Sequence, residues 1–211
     1  MTATPRKKRE VYDLLHEIEK PMAKMDYGER IDKMIYYTME VSKGLSYIHK
    51  MEVLHRDIKP DNVLITSNKG AVIADVGLSH MIRDTGRLML QVGTYGYMDP
   101  HVLDPRWPND DSLDFYKVDV YSVGMTMLTG LLGYNTLRSP NGVRDFSRAE
   151  ERNREHRWTF ESLKDLVTDA RLARQLKKMM DYRHNARMST EEIIPQLMNL
   201  QANMGGGGTL G

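Results

Sequence analysis

The sequence contains no cysteine among its 211 residues, which excludes disulfide bonds and thiolate-bound metal. It also lacks an apolar run of about 18 residues, so no membrane span is predicted. Phe and Trp are scarce, with 3 and 2 residues, which argues against a base-stacking surface for nucleic acid. Neither charge sign dominates, because 30 Lys and Arg balance 29 Asp and Glu. We therefore expect an intracellular protein whose net charge creates no overall electrostatic attraction to nucleic acid or acidic membranes.

Length and composition predict one folded domain between two flexible ends. With 211 residues, 40% of them hydrophobic, the chain can bury a core of its own. We expect residues 1–10 to be a basic disordered start, residues 11–202 to be the folded lobe and residues 203–211 to be a Gly-rich flexible tail. The expected location is cytoplasmic, and the basic cluster Arg6 to Arg9 leaves a nuclear location as an alternative.

Hydrophobic spacing predicts a mainly helical domain. Apolar residues recur at helical intervals over the range Ile31 to Ile48, which predicts one long amphipathic helix. Residues 119–129 are apolar on nearly every side and predict a buried central helix that ends at Gly130. Two short apolar segments, Val63 to Thr66 and Ala71 to Ala74, flank a polar turn and predict a β-hairpin.

The octapeptide HRDIKPDN, His55 to Asn62, carries the clearest chemical signal in the chain. A carboxylate, a cation and an amide oxygen follow one another closely, and phosphoryl transfer needs such groups for positioning and charge stabilisation. A tight turn would explain Pro60, Asp61 and Asn62, but it does not require the preceding His, Arg and Asp. The octapeptide resembles the catalytic loop of protein kinases, and the likeness to that family extends over about residues 11 to 200.

The resemblance assigns catalytic roles within this loop and implies ATP and Mg²⁺ as cofactors. Asp57 would accept the proton of the substrate hydroxyl, and Lys59 would balance charge on the transferred phosphoryl group of the nucleotide. Asn62 would hold magnesium through its amide oxygen. Asp75, delivered by the hairpin, matches the first residue of the family's DFG element and would be the main metal ligand, with Val76 in place of the usual Phe.

The resemblance also implies an architecture, namely a mainly α fold of the α+β family. It would correspond to the larger, C-terminal lobe of a protein kinase, with helices around a buried central helix and a short β-hairpin beside the catalytic loop. The segment GTYGYMDP, Gly93 to Pro100, resembles the close of an activation segment, which places Thr94 near Asp57 and Lys59 as a third catalytic residue.

Three residues are assigned structural support by the resemblance: His55, Asp119 and Arg187. Asp119 opens the central helix and is expected to brace the catalytic loop, since a carboxylate there can receive backbone donors. Arg187 matches a buried Arg that pairs with a Glu at the end of the activation segment. We place that Glu position at His101, so Arg187 is expected to lack a carboxylate partner.

Regulation by phosphorylation is a further implication of the resemblance. Arg56, which precedes the catalytic Asp, usually pairs with a phosphate on the activation segment in this family. Thr85 is the hydroxyl that we assign as the regulatory site. An ordinary solvated loop residue is the alternative interpretation of Thr85.

The family's smaller lobe has no counterpart in this sequence. No Gly-rich phosphate loop, strand Lys or helix Glu of the expected kind occurs, so the expectation is a large lobe alone, completed by a small lobe or regulatory protein. Lys59 in the loop is the pattern of serine/threonine kinases, and several short motifs of the sequence resemble those of plant receptor-like and Pelle-type kinases. Two functions remain open: a serine/threonine kinase acting on a protein substrate, and a noncatalytic interaction module derived from one.

Overall fold

A computed structural model of the protein describes residues 11–82, 92–103, 114–133 and 160–205. Helices dominate this part of the chain, as the sequence predicts. Its α-helices are α1 (Leu14–Glu19), α2 (Tyr27–Lys50), α3 (Pro100–Leu103), α4 (Tyr116–Leu132), α5 (Phe160–Leu166), α6 (Ala170–Met179) and α7 (Thr190–Gly205). Its strands are β1 (Tyr12–Asp13), β2 (Val53–Leu54), β3 (Val63–Ile65), β4 (Ala71–Ile73) and β5 (His80–Met81).

Both predicted flexible ends lie largely outside the described residues. Residues 1–10, with the basic cluster, and residues 206–211 belong to this group. Helix α7 reaches Gly205 and so includes residues 203–205 of the segment that the sequence assigned to the tail.

Helix α2 is the predicted long amphipathic helix. Asp26 caps its start, because the side chain accepts a hydrogen bond from the Glu29 N–H at 2.9 Å. His49 and Lys50 occupy its last turn, where cations interact favourably with the helix dipole. The helix packs against α4 and α7 and covers β4, so its apolar face joins the main core. Through its last turn, α2 leads directly to the catalytic loop.

Helix α4 is buried along most of its length and forms the centre of the lobe. The predicted end at Gly130 is wrong, because the helix continues to Leu132 and stops at Gly133, whose φ is +84°. Gly130 serves packing instead, since a Cβ atom there would overlap the side chain of Met34 from α2. Although α4 is apolar, no helix in the described ranges is long and apolar enough to cross a membrane.

The predicted hairpin is present as β3 and β4, which pair antiparallel with Leu64 opposite Val72. Its turn closes through a hydrogen bond of 2.9 Å from the Thr66 N–H to the Gly70 carbonyl. Strand β1 pairs on the other side of β3, while β2 and β5 form a separate antiparallel pair. The hairpin connects the catalytic loop before β3 to Asp75 after β4, and thereby brings the two segments to one end of the lobe.

Candidate active site

One buried carboxylate, that of Asp119 in the first turn of α4, holds the catalytic loop. It accepts hydrogen bonds from the backbone N–H groups of His55 at 2.9 Å and Arg56 at 2.8 Å. His49 Nε2 lies 2.9 Å from the same carboxylate. Arg56 has a φ of +69°, a conformation that costs a non-glycine residue of order 1–3 kcal/mol. The contacts with Asp119 offset this strain, so the expected bracing of the loop is present.

The side chains of the predicted catalytic residues form a closed hydrogen-bond network around Asp57. Thr94 Oγ1 donates to Asp57 Oδ1 at 2.7 Å, and Lys59 Nζ donates to Thr94 Oγ1 at 2.8 Å. Lys59 Nζ also lies 3.1 Å from Asp57 Oδ2, which accepts a second bond from Asn62 Nδ2 at 2.8 Å. Asp57 is only 7% exposed, so these partners fix its orientation. The predicted proximity of Thr94 to Asp57 and Lys59 is confirmed.

Backbone contacts bring the segment of Asp75 to the catalytic loop. The Ala74 N–H donates to the Asn62 carbonyl at 2.8 Å, and His55 Nε2 lies 3.1 Å from the Ala74 carbonyl. Asp75 has a φ of +58° and an exposed side chain, whose Oδ1 accepts the Gly77 N–H at 3.1 Å. The side chain of His55 is fully buried, which agrees with the supporting position predicted for it.

The Arg56 side chain lies beside the activation segment. Its Nε donates to the Leu78 carbonyl at 2.6 Å. Burial lowers the pKa of its guanidinium, while the nearby Asp119 carboxylate opposes this effect. Thr85, the predicted regulatory hydroxyl, lies outside the described residues.

A family model described as "Protein kinase domain" matches residues 8–197 of the chain. The chain belongs to the protein kinase family. Among curated proteins, it is 28% identical over 204 residues to serine/threonine-protein kinase STY46 of Arabidopsis thaliana, covering 92% of this chain. It is 36% identical over 121 residues, 57% of this chain, to mitogen-activated protein kinase kinase 9 of the same plant. Both relatives are protein kinases, and STY46 is a serine/threonine kinase.

The chain corresponds to only part of each of these kinases. Its match spans 31% of STY46 and 39% of mitogen-activated protein kinase kinase 9. Rhodopsin kinase grk7-a of Xenopus laevis is 29% identical over 114 residues, which is 54% of this chain and 19% of that protein. The similarity therefore identifies the family and the type of domain.

Arg187 has a carboxylate partner, contrary to the expectation from the sequence. Its Nη1 donates to Oδ2 of Asp99, and both side chains are fully buried. Burial alone would raise the pKa of the Asp99 carboxyl. The neighbouring Arg187, His101 and His184 outweigh this effect and hold that pKa well below its ordinary value. The expectation that Arg187 lacks a carboxylate partner is therefore wrong. Its partner is Asp99, which precedes Pro100.

Two residues of the kinase site were missed at the sequence level. Asp99 was overlooked although its position before Pro100 in the GYMDP segment was a usable signal. His49 lies in the last turn of α2, where its imidazole contacts Asp119 and its ring centre lies 4.7 Å from that of Tyr116. No local pattern predicts the His49 contact, since it joins residues 70 positions apart.

The described residues fit ATP and Mg²⁺, which protein kinase domains use. Asn62 Nδ2 donates to Asp57 Oδ2 at 2.8 Å and to the Asp57 carbonyl at 2.9 Å, which directs its N–H groups inward and leaves its Oδ1 oxygen for a cation. Asp75 supplies an exposed carboxylate on the adjoining segment. Magnesium prefers such oxygen ligands together with phosphate oxygens and water. Asn62 and Asp75 would therefore hold the ion, which supplies charge neutralisation on the phosphates.

Proposed function

We propose that this chain is the catalytic lobe of a protein serine/threonine kinase, which transfers the γ-phosphoryl group of ATP to a Ser or Thr hydroxyl of a protein substrate. The observation that carries the proposal is the network joining Lys59, Thr94, Asp57 and Asn62. It orients a buried carboxylate and places a cation 3.1 Å from it, on the same side as Asn62. Such an arrangement suits chemistry that depends on positioning and electrostatics.

Each residue of the network has a distinct part in this proposal. Asp57 accepts the proton of the substrate hydroxyl as attack begins. Lys59 lies 3.1 Å from Asp57 Oδ2 and stabilises negative charge on the transferred group. Thr94 donates to Asp57 and accepts from Lys59, so it sets the distance between the acid–base group and the cation. Asn62 and Asp75 hold the ion, and His55, Asp119 and Arg187 support the loop and the activation segment.

A second, nucleotide-binding lobe would complete the site, whether it belongs to the same polypeptide or to another chain. Apolar side chains next to Asp75 support this proposal, because Val76 and Leu78 are 67% and 38% exposed. Exposed apolar groups beside a metal ligand are suited to being covered by another protein surface. Phosphorylation of the activation segment, with Arg56 as the phosphate partner, would control how the two lobes close.

The receptor-like or Pelle-type subfamily and an intracellular location also belong to this proposal. The sequence motifs GYMDP, DVYS and LTG support the subfamily, and the absence of cysteine supports the location.

The alternative function is a noncatalytic interaction module. The observation in its favour is Val76, which replaces an aromatic residue and leaves the segment after Asp75 exposed rather than packed. In that case the exposed surface beside Asp75 would bind a partner, and the network around Asp57 would serve stability alone.

Activity of a two-lobed protein separates the two functions. A small lobe from a related kinase is fused before Val11, and ³²P transfer to a generic basic protein is measured for the fusion and its variants. Asp57→Asn should lower turnover by roughly 10²- to 10⁴-fold without unfolding the protein, because it removes the proton acceptor. Asp32→Asn, the same change at an exposed position of α2, is the matched control. A folded fusion without transfer, or with transfer insensitive to Asp57→Asn, would favour the module.

A further inference from the structure

A compact group of metal-binding side chains lies away from the Asp57 network. It consists of Asp99, His101 and His184, whose ligand atoms all lie within 4.8 Å of one another. Asp99 Oδ1 is 2.9 Å from His101 Nδ1, and Asp99 Oδ2 is 3.0 Å from His184 Nε2. Neither histidine belongs to the network of Asp57, Lys59, Thr94 and Asn62.

The donor atoms and their spacing fit a tetrahedral transition-metal ion. Two imidazole nitrogens and one carboxylate oxygen form a ligand set that Zn²⁺ accepts, with the fourth position left to water. Zinc bonds of about 2.0–2.2 Å place neighbouring ligand atoms roughly 3.4 Å apart. Each carboxylate–imidazole separation is within about half an ångström of that spacing, with His101 against Oδ1 and His184 against Oδ2. Side-chain rotations that bring both imidazole nitrogens to a common point beside the carboxylate would admit the ion.

The surroundings hold the three side chains in place. Asp99 is fully buried and His184 is 3% exposed, while His101 keeps 16% exposure and gives the group a route to solvent. The His101 ring stacks on Tyr182, with centroids 4.5 Å apart and planes inclined by 16°. Arg187 donates to Asp99 Oδ2, the same oxygen that lies 3.0 Å from His184 Nε2, and so orients the carboxylate as outer-shell partners do in metal sites.

We propose that Asp99, His101 and His184 form a binding site for Zn²⁺ or a similar divalent transition metal. Neutral imidazole binds metal through its unprotonated nitrogen. Each imidazole would bind the ion through the nitrogen that faces Asp99, Nδ1 of His101 and Nε2 of His184, with its proton on the other ring nitrogen. The positive charge of Arg187 opposes the ion, so the site is weaker than a structural zinc site that has no adjacent cation.

The ion would connect two parts of the lobe that are distant in sequence. Asp99 and His101 lie at the end of the activation segment and in α3, whereas His184 lies in the 3₁₀ turn His184–Ala186 before α7. A ligand that binds only the folded state stabilises it. Zinc should therefore stabilise the folded lobe and hold the activation segment against the later helices. This proposal does not depend on the assigned kinase reaction.

Spectroscopy and thermal unfolding of the chain, with any purification tag removed, test the site. Co²⁺ added to the chain should give the visible absorption of a tetrahedral complex, and Zn²⁺ should abolish it. At about 100-fold excess over its dissociation constant, Zn²⁺ should raise Tm by about 5 °C. His101→Phe retains a ring to stack on Tyr182 and should weaken Zn²⁺ binding at least about tenfold.

Two further variants make the result decisive. His16→Phe is the matched control, because His16 is an exposed histidine whose ring also lies against a tyrosine, Tyr12, at 5.1 Å. It should bind Zn²⁺ as the unchanged chain does. His184→Gln removes the second imidazole and should lose the Co²⁺ spectrum even where His101→Phe is unstable. An unchanged chain without the tetrahedral spectrum, or a spectrum that survives both ligand changes, would overturn the proposal.

Discussion

Asp99 and Arg187 form a fully buried ion pair that ties the end of the activation segment to the chain just before α7. The guanidinium is satisfied on its other sides, since Nε and Nη2 donate to the Asp181 carbonyl at 3.0 Å and 2.8 Å. Its carbon also lies 5.1 Å from the centre of the Tyr121 ring of α4. The Arg187 side chain thus connects the end of the activation segment, the segment of Asp181 and helix α4. It fixes these three segments more specifically than apolar packing alone would.

The first prediction concerns the energy of this pair. Asp99→Asn and Arg187→Met should each destabilise the fold by roughly 3–5 kcal/mol, because each leaves a buried charge without its partner. The double variant should lose less than the sum of the two changes. Urea unfolding of all four proteins measures this coupling. Lys43→Met, which removes the cation of the exposed Glu40 pair, should cost less than about 1 kcal/mol. Strictly additive effects would show that the pair is not coupled.

The second prediction concerns acid. Interaction with Arg187 and the two histidines outweighs burial and holds the pKa of Asp99 below its ordinary value. The carboxylate therefore contributes stability above the ordinary aspartate pKa of about 4, and loses it as pH falls through the lower pKa of the folded state. The stability difference between the unchanged chain and Asp99→Asn should shrink as the pH falls below about 4, where the carboxylate is protonated. A difference that grows below about pH 4 would contradict this sign.

Local patterns predicted the elements that carry the site. Helical spacing gave α2, and the two apolar segments gave the hairpin that brings Asp75 to the loop of Asn62. The family resemblance placed Thr94 beside Asp57. Each of these predictions depends on residues close in sequence or on a motif with a fixed geometry.

The errors arose at positions where tertiary packing determines the local structure or the contact partner. Gly130 looked like a helix end, but its missing side chain makes room for Met34, almost a hundred residues earlier in the chain. Arg187 was expected to lack a carboxylate partner because position 101 carries His, but the fold brings the Asp99 carboxylate to it. His184 carries no local signal for its contact with Asp99. Only the fold reveals which side chains share a buried space.

The third prediction tests the packing at Gly130. Gly130→Ala should destabilise the fold by roughly 1–3 kcal/mol, since the new methyl group would overlap Met34. Met34→Ala should make the same substitution tolerable. Gly44→Ala is the matched control in α2, because its methyl group would lie at an ordinary 3.4 Å from Ile73 Cδ1. That change should stabilise by about 0.4–1 kcal/mol. Equal effects at both glycines would argue against the packing role.

The fourth prediction concerns nucleotide affinity. Asn62 and Asp75 can hold the metal, while the contacts to adenine and phosphates from a small lobe are absent from the described residues. Titration calorimetry of the chain with Mg²⁺ and ATP should therefore give a dissociation constant of roughly 0.1–10 mM, equivalent to about 3–5.5 kcal/mol. Asp75→Ala should abolish the magnesium dependence of this binding. Micromolar affinity would mean that the chain holds a nucleotide site other than the one described.

The last prediction tests the Thr94 hydroxyl, which links Asp57 and Lys59, the two side chains proposed to be catalytic. Thr94→Val keeps the shape of the side chain but removes the group that donates to Asp57 and accepts from Lys59. In the two-lobed fusion, turnover should fall roughly 10- to 100-fold, because the carboxylate and the cation lose their fixed separation. Thr94→Ser retains the hydroxyl and should keep most of the activity. Urea unfolding of both variants separates this effect from a loss of stability. Full turnover by a folded Thr94→Val protein would show that Thr94 has no part in positioning Asp57 and Lys59.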